Sequence, residues 1–219
     1  MRSLIIGASG GIGGALCHAL QARGPVVGLS RSRDGLDVTD EASIERLLGA
    51  QEGAFDLVVV ATGALQIGAA APEKTLRALN AEAMLAQFAV NAVGPALMIK
   101  HALRLMPRGA PSRLAVLSAR VGSIGDNRLG GWYSYRAAKA ALNQILHSAA
   151  IEAARSHPQS VLVALHPGTV ATRLTEAHSG GHPTVTPKAA AAHLLAVLDG
   201  LTPADSGGFF DWQGKPVPW

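Results

Sequence analysis

Short apolar runs alternate with stretches of helical periodicity along this chain, and few folds accommodate that order. The runs "SLII" (3–6), "PVVGLS" (25–30), "FDLVVVATG" (55–63), "SRLAVLSA" (112–119), "SVLVALHPG" (160–168) and "GGFFDW" (207–212) read as strands. They are too short for most helices, and several are rich in valine. Between them lie "ALCHALQARG", stretches at about 74–91 and 95–106, "WYSYRAAKAALNQILHSAAIEAARS" and "PKAAAAHLLAVLDGL", all with helical spacing. Such alternation predicts an α/β fold, a Rossmann-type doubly wound parallel sheet with helices on both faces. Ligands then gather at the carboxyl ends of the strands. Only four residues separate Arg31 from "LDVTD", too few for a full crossover helix. The helix between strands 2 and 3 is therefore expected to be missing or very short, with a short third strand at about 36–38. No linker divides the chain, so residues 1–219 are read as a single domain.

Composition narrows the class. Hydrophobic residues make up 48% of the chain and charged residues 16%, which suits a packed core and argues against disorder. No run approaches the ~18 apolar residues of a membrane span, and the N-terminal "MRSLIIGASGG" reads as strand and loop rather than a signal peptide. One cysteine, Cys17, leaves no intramolecular disulfide to form and fits a cytoplasmic location. Its place in an Ala/Leu-rich helix reads as a buried inert thiol. The net charge of +4 admits nucleic acid. The basic residues are scattered, however, and aromatics are only 4%, so an anionic small molecule accounts for the bias instead.

Gly7, Gly11 and Gly13 form G-x-x-x-G-x-G between the first strand and the first helix. Glycine there allows a tight turn and close backbone approach, and the helix N-terminus offers N–H groups to a pyrophosphate. Ser9 and Ile12, in the same loop, join the candidate contacts. The second strand ends in "SRSR". An acid at this place serves ribose hydroxyls, whereas an arginine accommodates a 2′-phosphate. Arg31, helped by Ser30 and Arg33, therefore points to NADP(H) rather than NAD(H). A second pattern lies in "YSYRAAKAAL": Tyr135 and Lys139 are four apart and share a helix face, whereas Tyr133 is about a third of a turn away.

The two patterns together resemble the short-chain dehydrogenase/reductase family, and "GSIGDNRLGGWYSYRAAKAALN" is similar to its C-factor-like and sniffer-type carbonyl reductases. The resemblance runs from the glycine loop to at least Thr172. It implies that Asp37 and the Val38 backbone hold the adenine, and that Ala61 and Gly63 line the cofactor where the family usually has N-N-A-G. Asn91 corresponds to the tetrad asparagine. Pro167, Gly168, Val170 and Thr172 correspond to the segment packed on the nicotinamide. Tyr135 becomes the acid–base group, with Lys139 lowering its pKa and holding the nicotinamide ribose. The expected partner is a small carbonyl or alcohol substrate, in a homodimer or homotetramer, with no membrane or nucleic acid involved. One departure stands out. The family serine usually lies three residues before a glycine, and Ala119 occupies that place before Gly122. Ser118 is the expected replacement, with Ser123 as the other nearby hydroxyl.

Other patterns are set aside. His178 and His182, four apart in "HSGGHP", lie among glycines without further ligand spacing, and no metal is expected. Residues 173–186 read instead as a substrate lid, and His166, before Pro167, has a structural reading. No G-x-S-x-G elbow supports a hydrolase. The expected activity is NADPH-dependent reduction of an aldehyde or ketone, or the reverse. A protein that binds NADP(H) as a sensor, with little turnover, is the alternative, favoured by Ala61 and Ala119.

Overall fold

The computed structural model describes residues 1–176 and 183–219. Six parallel strands build one sheet in the order β2-β1-β3-β4-β5-β6. They are β1 (Ser3–Ile6), β2 (Val26–Leu29), β3 (Leu57–Val60), β4 (Ser112–Leu117), β5 (Ser160–His166) and β6 (Phe209–Asp211). The helices are α1 (Gly11–Leu20), α2 (Arg31–Asp34), α3 (Glu41–Gly49), α4 (Ala81–Phe88), α5 (Gly94–Leu103), α6 (Tyr133–Ala153) and α7 (Pro187–Gly200).

Alternating strand residues feed two cores, because successive side chains point to opposite faces. Leu4, Val58, Leu114 and Leu162 join Ile44, Met98, Leu142 and Leu146 on the face covered by α3, α5 and α6. Ile5, Val59, Ala115 and Val163 join Leu16, Leu20, Leu194 and Leu198 on the face covered by α1 and α7. With both faces covered, the central strands read as continuous apolar runs. Helix starts follow local chemistry: Ser30, Asp40, Asn80 and Thr186 each accept a bond from a backbone N–H of the helix they cap.

Two expectations need correction. No strand forms at 36–38. The four-residue α2 follows β2 as expected, but the next segment spends its backbone groups locally. Asp37 N donates to Ser43 Oγ at 3.1 Å, and Thr39 N donates to Asp37 Oδ1 at 2.8 Å. Little is left for a ladder, so β2 remains the sheet edge. The helix expected from residue 74 begins only at Ala81, where Asn80 caps it. It then continues through a π-type turn, Ala89–Val93, into α5. The continuous helix Ala81–Leu103 is long and apolar enough to cross a membrane by length and composition alone. Its polar Gln87, Asn91 and His101 are buried against the rest of the fold.

Candidate active site

The carboxyl ends of the strands open into one long cleft. Its first part lies above the glycine loop. Gly7 has φ +93°, a conformation that glycine adopts without strain. A Cβ on Gly13 would come within 2.2 Å of Gly7 O, so that contact between loop and helix requires glycine. The α1 N-terminus has no side-chain cap, leaving its N–H groups for an anion. Ser9, Gly11, Ile12 and Gly13 line this part, with Ala61 and Gly63 opposite. Arg31 lines it too, and also the adjoining part formed with Asp37 and Val38. Arg33 is otherwise committed, donating to Ala8 O at 3.2 Å. Thr39 bonds hold the Asp37 carboxyl below its ordinary value.

The cleft continues into a mainly apolar cavity of about 300 Å³. Tyr135, Lys139 and Ser118 line it, together with Pro167, Gly168, Val170 and Thr172. Leu174, from the expected lid, also lines it, as do Arg120, Trp132 and His166, which were missed in the sequence as site residues; only the glycines before Trp132 and the proline after His166 hinted at special backbone there. Tyr133 is not among the lining residues, in keeping with the helical spacing.

The electrostatics differ from expectation. Burial, rather than a neighbouring charge, dominates Tyr135 and pushes its phenol well above its ordinary value. Burial lowers the Lys139 ammonium to about 8. Lys139 Nζ donates to Leu117 O at 2.9 Å and sits 5.9 Å from the Tyr135 ring centroid. His166 is pushed down to about 4, chiefly by burial and secondarily by the Arg120 charge, with Asp211 opposing.

Asn91 is fully buried but does not line the cavity. Its Oδ1 accepts from Ala64 N at 3.0 Å, and its Nδ2 donates to Ala64 O at 2.8 Å and Gln87 Oε1 at 2.7 Å. It thus pins the loop after β3. A Cβ on Gly63 would lie 3.0 Å from Asn91 Oδ1 and 3.4 Å from Lys139 Nζ, so both groups flank Gly63. The two serine candidates separate. Ser118 lines the cavity and donates to Asn143 Oδ1 at 2.6 Å. Ser123 donates to Pro218 O and accepts from Asp126 N at 3.0 Å, outside the cavity. Of the expected lid, 173–176 and 183–186 are described, and Arg173 and Leu174 line the cleft. His178 and His182 lie outside the described residues.

Comparisons with known proteins agree with this architecture. The family model described as enoyl-(acyl carrier protein) reductase matches residues 7–203. A 1-hydroxy-2-glutathionyl-2-methyl-3-butene dehydrogenase of Rhodococcus sp. (strain AD45) is 32% identical over 99% of this chain and 98% of its own. The C-signal protein of Myxococcus xanthus is 39% identical over 62% of this chain and 78% of its own. Among solved structures, a short-chain dehydrogenase/reductase from Burkholderia multivorans with bound NADP has a TM-score of 0.84. It is 26% identical, covering 100% of this chain and 99% of its own. Carbonyl reductase Sniffer of D. melanogaster shares the fold, with a TM-score of 0.82 at 21% identity, 100% of this chain and 99% of its own. A glycine loop under an uncapped helix, a buried Tyr135–Lys139 pair and a match spanning almost every element place the chain in one group: it belongs to the short-chain dehydrogenase/reductase family of oxidoreductases.

Proposed function

We propose that the protein is an NADPH-dependent carbonyl reductase acting on small aldehydes or ketones. The observation that carries the reading is Tyr135 and Lys139 in the wall of a cavity that runs into a cleft with the open α1 N-terminus and Arg31. The residues fit a dinucleotide: the tight Gly7–Gly13 contact holds the loop against α1, the uncapped α1 N-terminus is open to an anion, and Arg31 supplies a cation for a 2′-phosphate. The NADP-bound Burkholderia relative supports this choice of cofactor.

When bound, NADPH supplies a hydride for the carbonyl carbon. Tyr135 then gives its hydroxyl proton to the carbonyl oxygen. Tyr135 carries its proton near neutrality, as a donor must, although burial by itself makes its phenol a weaker acid than an exposed one. Lys139, which donates to Leu117 O, would hold the nicotinamide ribose, and Asn91 fixes the Ala64 backbone near it. Ser118 is the hydroxyl that takes the place left by Ala119, once its proton leaves Asn143. Pro167, Gly168, Val170 and Thr172 form the wall for the nicotinamide. The half-buried Cys17 fits a cytoplasmic setting, and exposed Leu85 and Val93 on the Ala81–Leu103 helix suit a homo-oligomer.

Ala119 supports a second reading, an NADP(H)-binding sensor with little turnover. NADPH oxidation against a panel of aldehydes, ketones and quinones separates the two. Turnover of at least one class is expected; tight NADPH binding with no turnover on any class favours the sensor and defeats the reductase.

A further inference from the structure

Trp132 is the one non-glycine residue with positive φ among the described residues, at φ +51° and ψ +40°. A bulky side chain in the left-handed region is an outlier that persists only where the surroundings hold it, and such residues gather at functional sites. Here the surroundings are specific. Trp132 is the N-cap of the helix that carries Tyr135. Its N–H donates to the Glu73 carbonyl. Glu73 is only 8% exposed. Its carboxylate accepts from Ser134 N at 3.2 Å and from Ser134 Oγ. A single residue from the loop after β3 thus grips both sides of Trp132, by its backbone before the helix and by its side chain inside the first turn. The indole stands edge-on to the Tyr135 ring, with centroids 6.4 Å apart and planes at 71°. It forms part of the wall of the same cavity as Tyr135.

We propose that Trp132 is the specificity-determining wall of the substrate cavity, and that Glu73 is the positioning residue that keeps it there. The inference rests on the carbonyl-reductase reading and adds a substrate class: carbonyls whose apolar substituent fits between the indole and aliphatic residues such as Leu65, Val121 and Leu174. An aromatic wall beside the acid group selects by size and shape, since one methylene in an apolar pocket already changes discrimination roughly 10–200-fold. Glu73 acts at a distance from substrate, by fixing the backbone turn from which the indole projects.

The test is a homologous series of carbonyls, from a short aliphatic aldehyde to a bulky aryl ketone, assayed with NADPH on wild type, Trp132→Gly, Trp132→Phe, Glu73→Ala and the Trp132→Gly/Glu73→Ala double variant. NADPH affinity is titrated in parallel. Trp132→Gly, which also removes the backbone strain, should raise kcat/KM for the bulkiest member relative to the smallest by about tenfold or more, with NADPH affinity unchanged. Trp132→Phe should return the order of preference toward wild type. Glu73→Ala should shift preference the same way as Trp132→Gly. In the Trp132→Gly background it should add little, because contacting residues couple. An active Trp132→Gly enzyme whose whole series falls in parallel overturns the wall. Full additivity of Glu73→Ala overturns the clamp. Wild-type protein that binds NADPH but turns over no member overturns the carbonyl reading, and this inference with it.

Discussion

Burial moves the protonation of Tyr135 and Lys139 in opposite directions, and both shifts favour the neutral side chain. Tyr135→Phe keeps the ring and removes the proton, so turnover should fall ~10²–10⁴-fold while NADPH still binds. Tyr133→Phe should cost far less, and equal losses in steady-state assays would move the acid role off Tyr135. The spacing made this pair legible in the sequence. The pKa direction was not legible, because it depends on how deeply the packed fold buries the two groups. The serine question was half legible: two hydroxyls flank Ala119, and only packing shows that Ser123 is spent on Pro218. Ser118→Ala should lower kcat/KM at least about tenfold with NADPH affinity intact, and Ser123→Ala should leave it nearly unchanged; the reverse result in side-by-side assays would reassign the hydroxyl. His166 gives a pH signature. Its folded pKa of about 4 lies below its ordinary 6.5, so between those values the unfolded chain binds the extra proton. Stability present above pH 6.5 is then lost as pH falls toward 4, by up to about 3 kcal/mol. Urea titrations should show a steeper loss over this window in wild type than in His166→Asn; parallel curves would mean that the ring titrates normally.

Elements set what a residue can reach. Arg31 opens α2 immediately after β2, at the point where the chain leaves the sheet beside the glycine loop. Arg31→Ala should weaken NADPH binding and barely change NADH binding. Equal wild-type affinity for the two cofactors, measured by fluorescence titration, would remove the 2′-phosphate role. The order of strands and helices was visible as alternating apolar runs, and so was the shortness of α2. The strand expected at 36–38 failed because Ser43 Oγ and Ser30 O take the backbone donors of Asp37 and Leu36. Side-chain capture of this kind depends on α3 folding back, which a reading of local apolar runs does not register. The late start of α4 has a similar origin: Asn80 supplies the cap, while the preceding segment is held by Glu73 at the start of α6.

Across the molecule, the sheet is the common support of both cores. Leu114, in central β4, is fully buried. Leu114→Ala should destabilise by ~2–5 kcal/mol, read as a drop in the urea midpoint; a cost under ~1 kcal/mol would show that the two faces are packed more loosely than described. Because β2 ends the sheet and no strand among the described residues lies beyond it, about half of its peptide groups have no strand to pair with on the outer side. Amide hydrogens on that margin should exchange with solvent deuterium orders of magnitude faster than those of β4. A dinucleotide laid across the ends of β1 and β2 would slow that exchange from the rim inward, so that ligand occupancy becomes readable as a gradient of protection across the sheet.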